Sequence, residues 1–299
     1  MKIFVIVPED VKKNTESTEC RIAYKVLNCI KTKGISIITN LESFSEEDIN
    51  SCDIILCISG SEHYTQGAYK SFAVKYPHMK RILYLWDLYP WVEGYSIIGF
   101  PFYDEIWVPS NEVGLRVNEL YSSDQKTKVI KCFFESFEDK KNESLLENKD
   151  FIFHPLRAYK DSNYGFLRKA CEKLNINEMR PEHSLSFDEY KQAILNCSFL
   201  VCEYSEASTG GLSLLEGYYH GKNVLLSDSK YQGGKDYFGD RAFYFKDGNL
   251  SDFIDKVDML HRKAKDPVDL QDRRSFCEIY SKSAMATRFI DALKEIKLD

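Results

Sequence analysis

The chain has 299 residues, of which 43% are hydrophobic and 14% aromatic, so it can form two packed domains of ordinary size. Its net charge of −6 argues against nucleic acid as the main partner, because binding to phosphates requires a basic surface. None of the nine cysteines lies in a CxxC motif or in a Cys/His cluster with zinc spacing, which predicts buried free thiols and no metal site.

The first half of the chain alternates short apolar strands with helices. KIFVIV at residues 2–7 is too short an apolar run for a signal peptide and is typical of a first strand. Further strands are predicted at 35–39, 52–59, 81–87 and 105–110, and helices at 18–33, 64–76 and 110–121. Strands separated by helices indicate parallel βαβ units in a doubly wound sheet. No apolar run approaches the length that spans a bilayer, so we expect a cytoplasmic protein without a transmembrane segment.

Residues 135–150 interrupt this alternation, because they are charged and poor in large apolar side chains, which predicts a linker. The alternation then restarts, with strands predicted at 151–156, 198–205, 223–228 and 242–245 and helices at 163–174, 186–196, 212–220, 250–264 and 269–298. The sequence therefore predicts two α/β domains, residues 1–134 and 151–299, with a cleft between them. The last helix, predicted at 281–298, is amphipathic, and packing on either domain would bury its apolar face.

The segment STGGLSLLEGYYHGKNVLLSD at residues 208–228 places one carboxylate within a short apolar helix. Leu212, Leu215 and Tyr219 fall at i, i+3 and i+7 and form one apolar stripe. Glu216 follows Leu212 by four residues, so it lies about 40° away around the helix, at the edge of the inward face. An unpaired carboxylate there would be costly, and we expect hydroxyls or backbone amides to be its partners.

Two glycines, Gly210 and Gly211, precede this helix, and Gly221 is expected to end it. Glycines allow a ligand to approach the backbone closely, and a helix start offers free N–H groups to phosphate or sugar oxygens. The segment could therefore hold an anion at the helix start and hydroxyl groups on Glu216. A well-capped αβ connection with a solvated Glu216 explains the same spacing, and the spacing alone leaves both open.

The same layout resembles the C-terminal domain of retaining glycosyltransferases with the GT-B fold, the family 4-like group. Their signature is roughly E-G-F-G-L-P-x-x-E-A, followed by a glycine, an apolar strand and a Gly-Gly segment. The run GGLSLLEGYYHGKNVLLSD is similar to the second half of that signature, and residues 231–257 resemble the segment that follows. The resemblance implies an α/β fold of two Rossmann-like domains facing across a cleft. Residues 1–134 would be the acceptor side and residues 151–299 the nucleotide-sugar side.

The resemblance also implies roles for single residues. Glu216 would hold the ribose hydroxyls of the nucleotide, and the amides of Gly210, Gly211 and Leu212 would contact the diphosphate. Arg157 and Lys160, which follow the strand that opens the second domain, would be the catalytic cations, since they would offset charge on the departing nucleotide. On the acceptor side, YLWDLYPW resembles a segment that often carries His-Asp, and Trp86, Asp87 and Tyr89 are the candidates for acceptor contact. Aromatic side chains at the carboxyl end of a parallel strand could stack on an acceptor sugar, and packing at the edge of a core explains the same residues.

The chain departs from the family pattern at four places. Arg157 and Lys160 are only three residues apart, where the family usually spaces them more widely. The position of the family's first Glu, which contacts the donor sugar, is taken by Ser208, and Glu206 could substitute if the loop is two residues longer. The glycine-rich loop that usually follows the first strand is replaced by PEDVKKNTES, and Trp86 stands where the family often has His. These departures are compatible with an unusual donor or with a lost activity.

We therefore expect a retaining, metal-independent glycosyltransferase without a cofactor, which moves a sugar from a nucleotide-diphosphate sugar to a carbohydrate or glycan acceptor. No D-x-D motif, which would bridge a diphosphate through a metal, occurs in the chain. The alternatives are a degenerate GT-B protein that binds sugar or nucleotide or scaffolds a partner without catalysis, and an epimerase or a phosphorylase. KVIKCFF at residues 128–134 is a weak candidate for peripheral membrane contact.

Overall fold

The computed structural model divides the chain into two compact units, residues 1–132 with 282–299 and residues 133–281. It describes residues 1–6, 31, 35–39, 43–59, 75–85, 103–121, 127–132, 134, 150–155, 163–181, 185–205 and 212–296. Most of the predicted linker and of the predicted helices at 18–33 and 64–76 lies outside the described residues. Among the described residues, no helix is both long and apolar enough to cross a membrane.

In the described residues of the first unit, six parallel strands form a sheet in the order β2-β1-β3-β4-β5-β6. The strands are β1 Lys2–Ile6, β2 Ser36–Thr39, β3 Ile54–Ser59, β4 Lys80–Leu85, β5 Glu105–Val108 and β6 Thr127–Val129. The helices described between them are α1 Glu46–Asn50 and α2 Asn111–Tyr121. The parallel, helix-connected sheet confirms the predicted fold class for this half of the chain.

The second unit contains a five-stranded parallel sheet in the order β11-β10-β9-β7-β8. Its strands are β7 Phe151–Phe153, β8 Asn177–Met179, β9 Phe199–Cys202, β10 Val224–Ser227 and β11 Phe243–Phe245. Its helices are α3 Phe166–Leu174, α4 Phe187–Asn196, α5 Leu212–Tyr219, α6 Gly234–Phe238, α7 Leu250–Lys263 and α8 Leu270–Glu278. Two core clusters of buried apolar side chains pack against this sheet.

The helical stretch predicted at 269–298 is divided in the structure into α8 and then α9, Lys282–Lys294, and α9 agrees with the last helix predicted at 281–298. Between them, the N–H of Tyr280 donates to Cys277 O at 2.8 Å, and the carbonyl of Tyr280 accepts from Phe134 N at 3.1 Å. Both bonds lie outside the i to i+4 pattern, so the helix stops here. Helix α9 belongs to the first unit, where the ring of Phe289 lies 5.4 Å from that of Tyr84 and 5.0 Å from that of Trp107.

Within the segment at 128–134, the described apolar side chains after the strand are buried. Residues 127–129 form the edge strand β6, and Ile130, Cys132 and Phe134 are buried at 1%, 1% and 5% exposure. Apolar side chains buried in protein cores are not available to lipid, so these three do not support the predicted peripheral membrane contact, and Phe133 lies outside the described residues.

Candidate functional site

The sheet of the second unit changes direction between β7 and β9. From β7 the chain passes through α3 to β8 on one side, and from β9 it passes through α5 to β10 on the other. In open parallel sheets, ligands bind outside the carboxyl ends of the two strands at such a switch point. The residues that follow β7 and β9 therefore lie where a fold of this kind binds a ligand.

Two buried residues meet at this switch point, one after each strand. His154 follows β7 and is fully buried, and its Nε2 accepts a hydrogen bond from the backbone N–H of Glu203 at 3.4 Å. Its ring also lies 4.8 Å from the ring of Tyr204. Accepting at Nε2 places the proton of the neutral ring on Nδ1. These contacts of His154 therefore link the carboxyl ends of the two central strands, β7 and β9.

The carboxylate of Glu203, which is fully buried, occupies the start of α3. Its Oε1 accepts from Gly165 N at 3.0 Å and from Arg180 Nη2 at 2.6 Å, and its Oε2 accepts from Leu167 N at 2.6 Å. The amides that a helix start would offer to an anion are thus bound to the protein's own carboxylate. Sequence reasoning missed Glu203, and the signal for it was a glutamate placed directly after the buried strand FLVC.

Arg180, the partner of Glu203, follows β8 and is 13% exposed in its side chain. Burial would lower the pKa of Arg180, but the Glu203 carboxylate outweighs that effect and holds the pKa above its ordinary value. The guanidinium also lies over the rings of Tyr164 and Tyr204, 5.5 and 5.9 Å from their centroids. Arg180 therefore remains charged, and its contacts hold the loops after β8 and β9.

A polar network fixes the loops at the same edge of the sheet. Asn163, fully buried, donates from Nδ2 to Asp247 Oδ1 at 2.7 Å, which links the start of α3 to the end of β11. Gln232, also fully buried, donates from Nε2 to Tyr204 O at 2.8 Å and accepts at Oε1 from Gly234 N at 3.1 Å. The start of α6, which contains the pair Gly233 and Gly234, is thereby held against the end of β9.

Glu216 lies in the middle of α5 and is 4% exposed. The hydroxyl of Tyr190 in α4 donates a hydrogen bond to its Oε2. The predicted hydroxyl partner is therefore present, and the reading of Glu216 as a solvated residue is wrong. The apolar stripe is only partly as predicted: Leu215 is buried, but the other buried apolar side chains of α5 are Leu214 and Tyr218, because this helix is covered on more than one face. The helix ends at Tyr219, as expected, ahead of Gly221 with φ +85°.

Comparison with known proteins finds similar structures but no matching sequence. No family model matches the chain, and no curated protein matches its sequence. Among solved structures, sucrose-phosphate synthase from Thermosynechococcus elongatus matches with a TM-score of 0.73 at 8% identity, covering 99% of each chain. The lipopolysaccharide outer core galactosyltransferase WaaB matches with a TM-score of 0.64 at 13% identity, covering 98% of this chain and 99% of its own. Anabaena HepE, solved in complex with UDP and glucose, matches with a TM-score of 0.63 at 12% identity, covering 99% of this chain and 100% of its own.

The likeness extends over both units, and each unit contains a parallel, Rossmann-like sheet. The chain has the GT-B fold. Of the residues that sequence reasoning assigned to a GT-B site, the structure describes Glu216, which is buried, and Leu212, which begins α5 and is partly buried. The others lie outside the described residues: Trp86, Asp87, Tyr89, Arg157, Lys160, Glu206, Ser208, Gly210 and Gly211.

Within the described part of the chain, no group of three or more His, Cys, Asp and Glu side chains is placed to hold a metal ion. Seven cysteines there are free and buried, as the sequence predicted.

Proposed function

We propose that this protein is a retaining, metal-independent glycosyltransferase of the family 4 type, which transfers a sugar from a nucleotide-diphosphate sugar to a carbohydrate or glycan acceptor. The observation that carries the proposal is Glu216, a carboxylate buried in the helix after the switch-point strand and held by the Tyr190 hydroxyl. Buried carboxylates are rare unless they have partners, and two vicinal ribose hydroxyls are well suited to a fixed carboxylate.

The GT-B fold supports the choice of donor class. HepE, which shares the fold, has been solved with UDP, with UDP and glucose, and with UDP-glucose. At 12% identity this likeness shows the fold, and the same ligand class is our proposal for this chain. Free buried thiols suit a reducing compartment, so we propose a cytoplasmic enzyme.

In the proposed complex, Glu216 accepts hydrogen bonds from the ribose hydroxyls. The diphosphate lies against Arg157 and Lys160 and the amides of Gly210, Gly211 and Leu212, while Ser208 or Glu206 contacts the donor sugar. Trp86, Asp87 and Tyr89 bind the acceptor. The cations stabilise the charge that develops on the leaving diphosphate, so the protein contributes positioning and electrostatic stabilisation.

The proposed reaction breaks the bond between the anomeric carbon and the diphosphate oxygen and forms a bond to an acceptor hydroxyl oxygen on the same face. The acceptor's proton passes to the leaving phosphate oxygen. The products are the glycosylated acceptor and the nucleoside diphosphate, so atoms and charge balance without a dedicated protein base.

The first test is calorimetric binding of UDP, GDP and ADP with EDTA present. The proteins to compare are wild type, Glu216→Gln, and Glu47→Gln, a control that changes an exposed carboxylate of α1 in the other unit. We expect one nucleotide to bind wild type and the control equally, and to bind Glu216→Gln about tenfold more weakly or worse, since hydrogen bonds to a charged group are lost.

Each of the other outcomes contradicts a particular part of the proposal. Binding that requires a divalent cation contradicts metal independence, and equal binding to Glu216→Gln contradicts the ribose role. Binding by none of the three nucleotides contradicts the glycosyltransferase proposal itself. Once a nucleotide is found, incubation with its sugar conjugates and glycan acceptors tests turnover. A nucleotide that binds without any turnover favours the degenerate, non-catalytic GT-B alternative.

A further inference from the structure

The contact between Tyr190 and Glu216 joins two helices that approach the sheet separately. Tyr190 lies in the first turn of α4, near Ser186, whose side chain accepts from Glu189 N at 3.3 Å in a capping box. Its ring lies 6.4 Å from the ring of Phe153, at the end of β7. The capped helix start and the contact with Phe153 together fix where the Tyr190 hydroxyl lies.

Burial limits the hydrogen-bonding arrangements that the Glu216 carboxylate can adopt. Glu216 is 4% exposed, so the carboxylate must find its hydrogen bonds inside the protein or from a ligand. A carboxylate offers about four lone-pair positions, so accepting at Oε2 from Tyr190 is compatible with accepting from ribose hydroxyls as well. The hydrogen bond from Tyr190 to one carboxylate oxygen restricts rotation of the carboxylate group. It therefore also restricts the orientation in which the carboxylate meets a ligand.

We infer that Tyr190 is a positioning residue of the donor site, which orients the Glu216 carboxylate toward the ribose diol and so determines the preference for ribose over deoxyribose. This inference rests on the proposed ribose role of Glu216. Tyr190 acts through Glu216 and has no contact of its own with the reacting atoms. Its loss should therefore weaken the discrimination between ribonucleotide and deoxyribonucleotide more than it weakens the binding of the base and diphosphate.

The test compares Tyr190→Phe with wild type. Phe keeps the ring and its packing on Phe153 and removes only the hydroxyl. Binding is measured by calorimetry for whichever of UDP, GDP and ADP binds wild type, and for its 2′-deoxy counterpart. We expect wild type to favour the ribonucleotide, and Tyr190→Phe to reduce that ratio of affinities by about threefold or more, mainly by weakening the ribonucleotide.

Tyr280→Phe is the matched control, because it removes another buried tyrosine hydroxyl in the same unit, which donates to Tyr237 O at 2.9 Å. Both variants should lower the thermal unfolding midpoint slightly, but Tyr280→Phe should leave the ratio of affinities unchanged. In a Glu216→Gln background, Tyr190→Phe should have no further effect on the ratio, since the two residues act as one unit.

The outcomes separate this inference from the function on which it rests. If wild type binds a nucleotide and Glu216→Gln weakens it, but Tyr190→Phe leaves the ribose preference intact, the inference is overturned and the proposed function stands. An equal reduction of the ratio in Tyr280→Phe also overturns it, because the effect would then be general loosening. If wild type binds no nucleotide, the proposed function and the role of Tyr190 both fail.

Discussion

Gly217 in α5 lies so close to Leu200 in β9 that a Cβ atom added to the glycine would be 1.8 Å from Leu200 Cδ1 and 3.1 Å from Leu200 Cγ. Leu200 is fully buried, so its side chain has little room to move away. The missing side chain at residue 217 therefore lets α5 pack directly on the switch-point strand. Glu216 is the preceding residue, so this packing also determines how deeply its carboxylate is buried.

We predict that Gly217→Ala lowers the free energy of unfolding by about 1–2 kcal/mol, because overpacking costs more than the gain in helix propensity. Far-UV circular dichroism in urea measures the change. The matched test is the same substitution in a Leu200→Ala background, where the space is open. There we expect Gly217→Ala to be neutral or to stabilise by up to about 1 kcal/mol. An equal cost in both backgrounds would contradict the steric explanation.

The second prediction concerns the ion pair between Glu203 and Arg180, with side chains 0% and 13% exposed. Glu203→Ala leaves a buried guanidinium and the first amides of α3 without their acceptor, so we expect a loss of about 3–5 kcal/mol in the free energy of unfolding. Asp258→Asn is the control. It disrupts the pair with Arg262 on α7, where the arginine side chain is 75% exposed, and should cost about 0.5 kcal/mol or less. Similar costs for the two variants would contradict the importance of burial.

The third prediction is a pH dependence from Asp104, whose carboxylate accepts from Arg81 N, Nε and Nη2 at 2.7, 3.0 and 2.9 Å. Burial would raise the pKa of Asp104, but the hydrogen bonds from Arg81 outweigh it and hold the pKa below its ordinary value. A lowered folded-state pKa means that this stabilisation is complete above the unfolded-state pKa of about 3.9. It is lost as the pH falls through the folded-state value.

We therefore expect Asp104→Asn to cost about 1–3 kcal/mol at pH 6, and the difference from wild type to shrink as the pH falls below about 4. Tryptophan fluorescence in urea is a suitable measurement, because all three tryptophans, at positions 86, 91 and 107, belong to the first unit. In an Arg81→Met background the pH-dependent difference should largely vanish. A difference that grows toward acid pH would refute the assignment.

The central strands of both sheets were predictable from the sequence, and two edge strands were not. Phe151–Phe153 and Phe199–Cys202 are apolar along their whole length, and Val224–Ser227 is apolar except for Ser227, because strands covered on both faces need no polar alternation. Thr127–Val129 and Asn177–Met179 lie at sheet edges and have no fully buried residue, so their sequences TKV and NEM show no apolar run. Only their backbone pairing with a neighbouring strand identifies these two segments as strands.

The chemistry of the candidate site was predictable from the sequence, but the residues that form hydrogen bonds with its carboxylates were not. The helical position of Glu216 relative to Leu212 indicated a carboxylate near the inward face, and that was enough to predict a hydroxyl or amide partner. The partner itself, Tyr190, is 26 residues earlier in the chain, and Glu203 reaches across 36 residues to Leu167. No local pattern encodes such contacts, because they follow from the strand order of the sheet.

The last prediction concerns the attachment of α9 to the first unit. Phe289 is 1% exposed and packs edge-on against Tyr84 and Trp107, both fully buried. Phe289→Ala should lower the free energy of unfolding of this unit by about 3–5 kcal/mol, since it removes a buried ring and leaves a cavity. Leu115→Ala, at a residue of α2 that is 41% exposed, is the control and should cost far less. Tryptophan fluorescence in urea again measures both, and equal costs would mean that α9 contributes nothing to holding the first unit together.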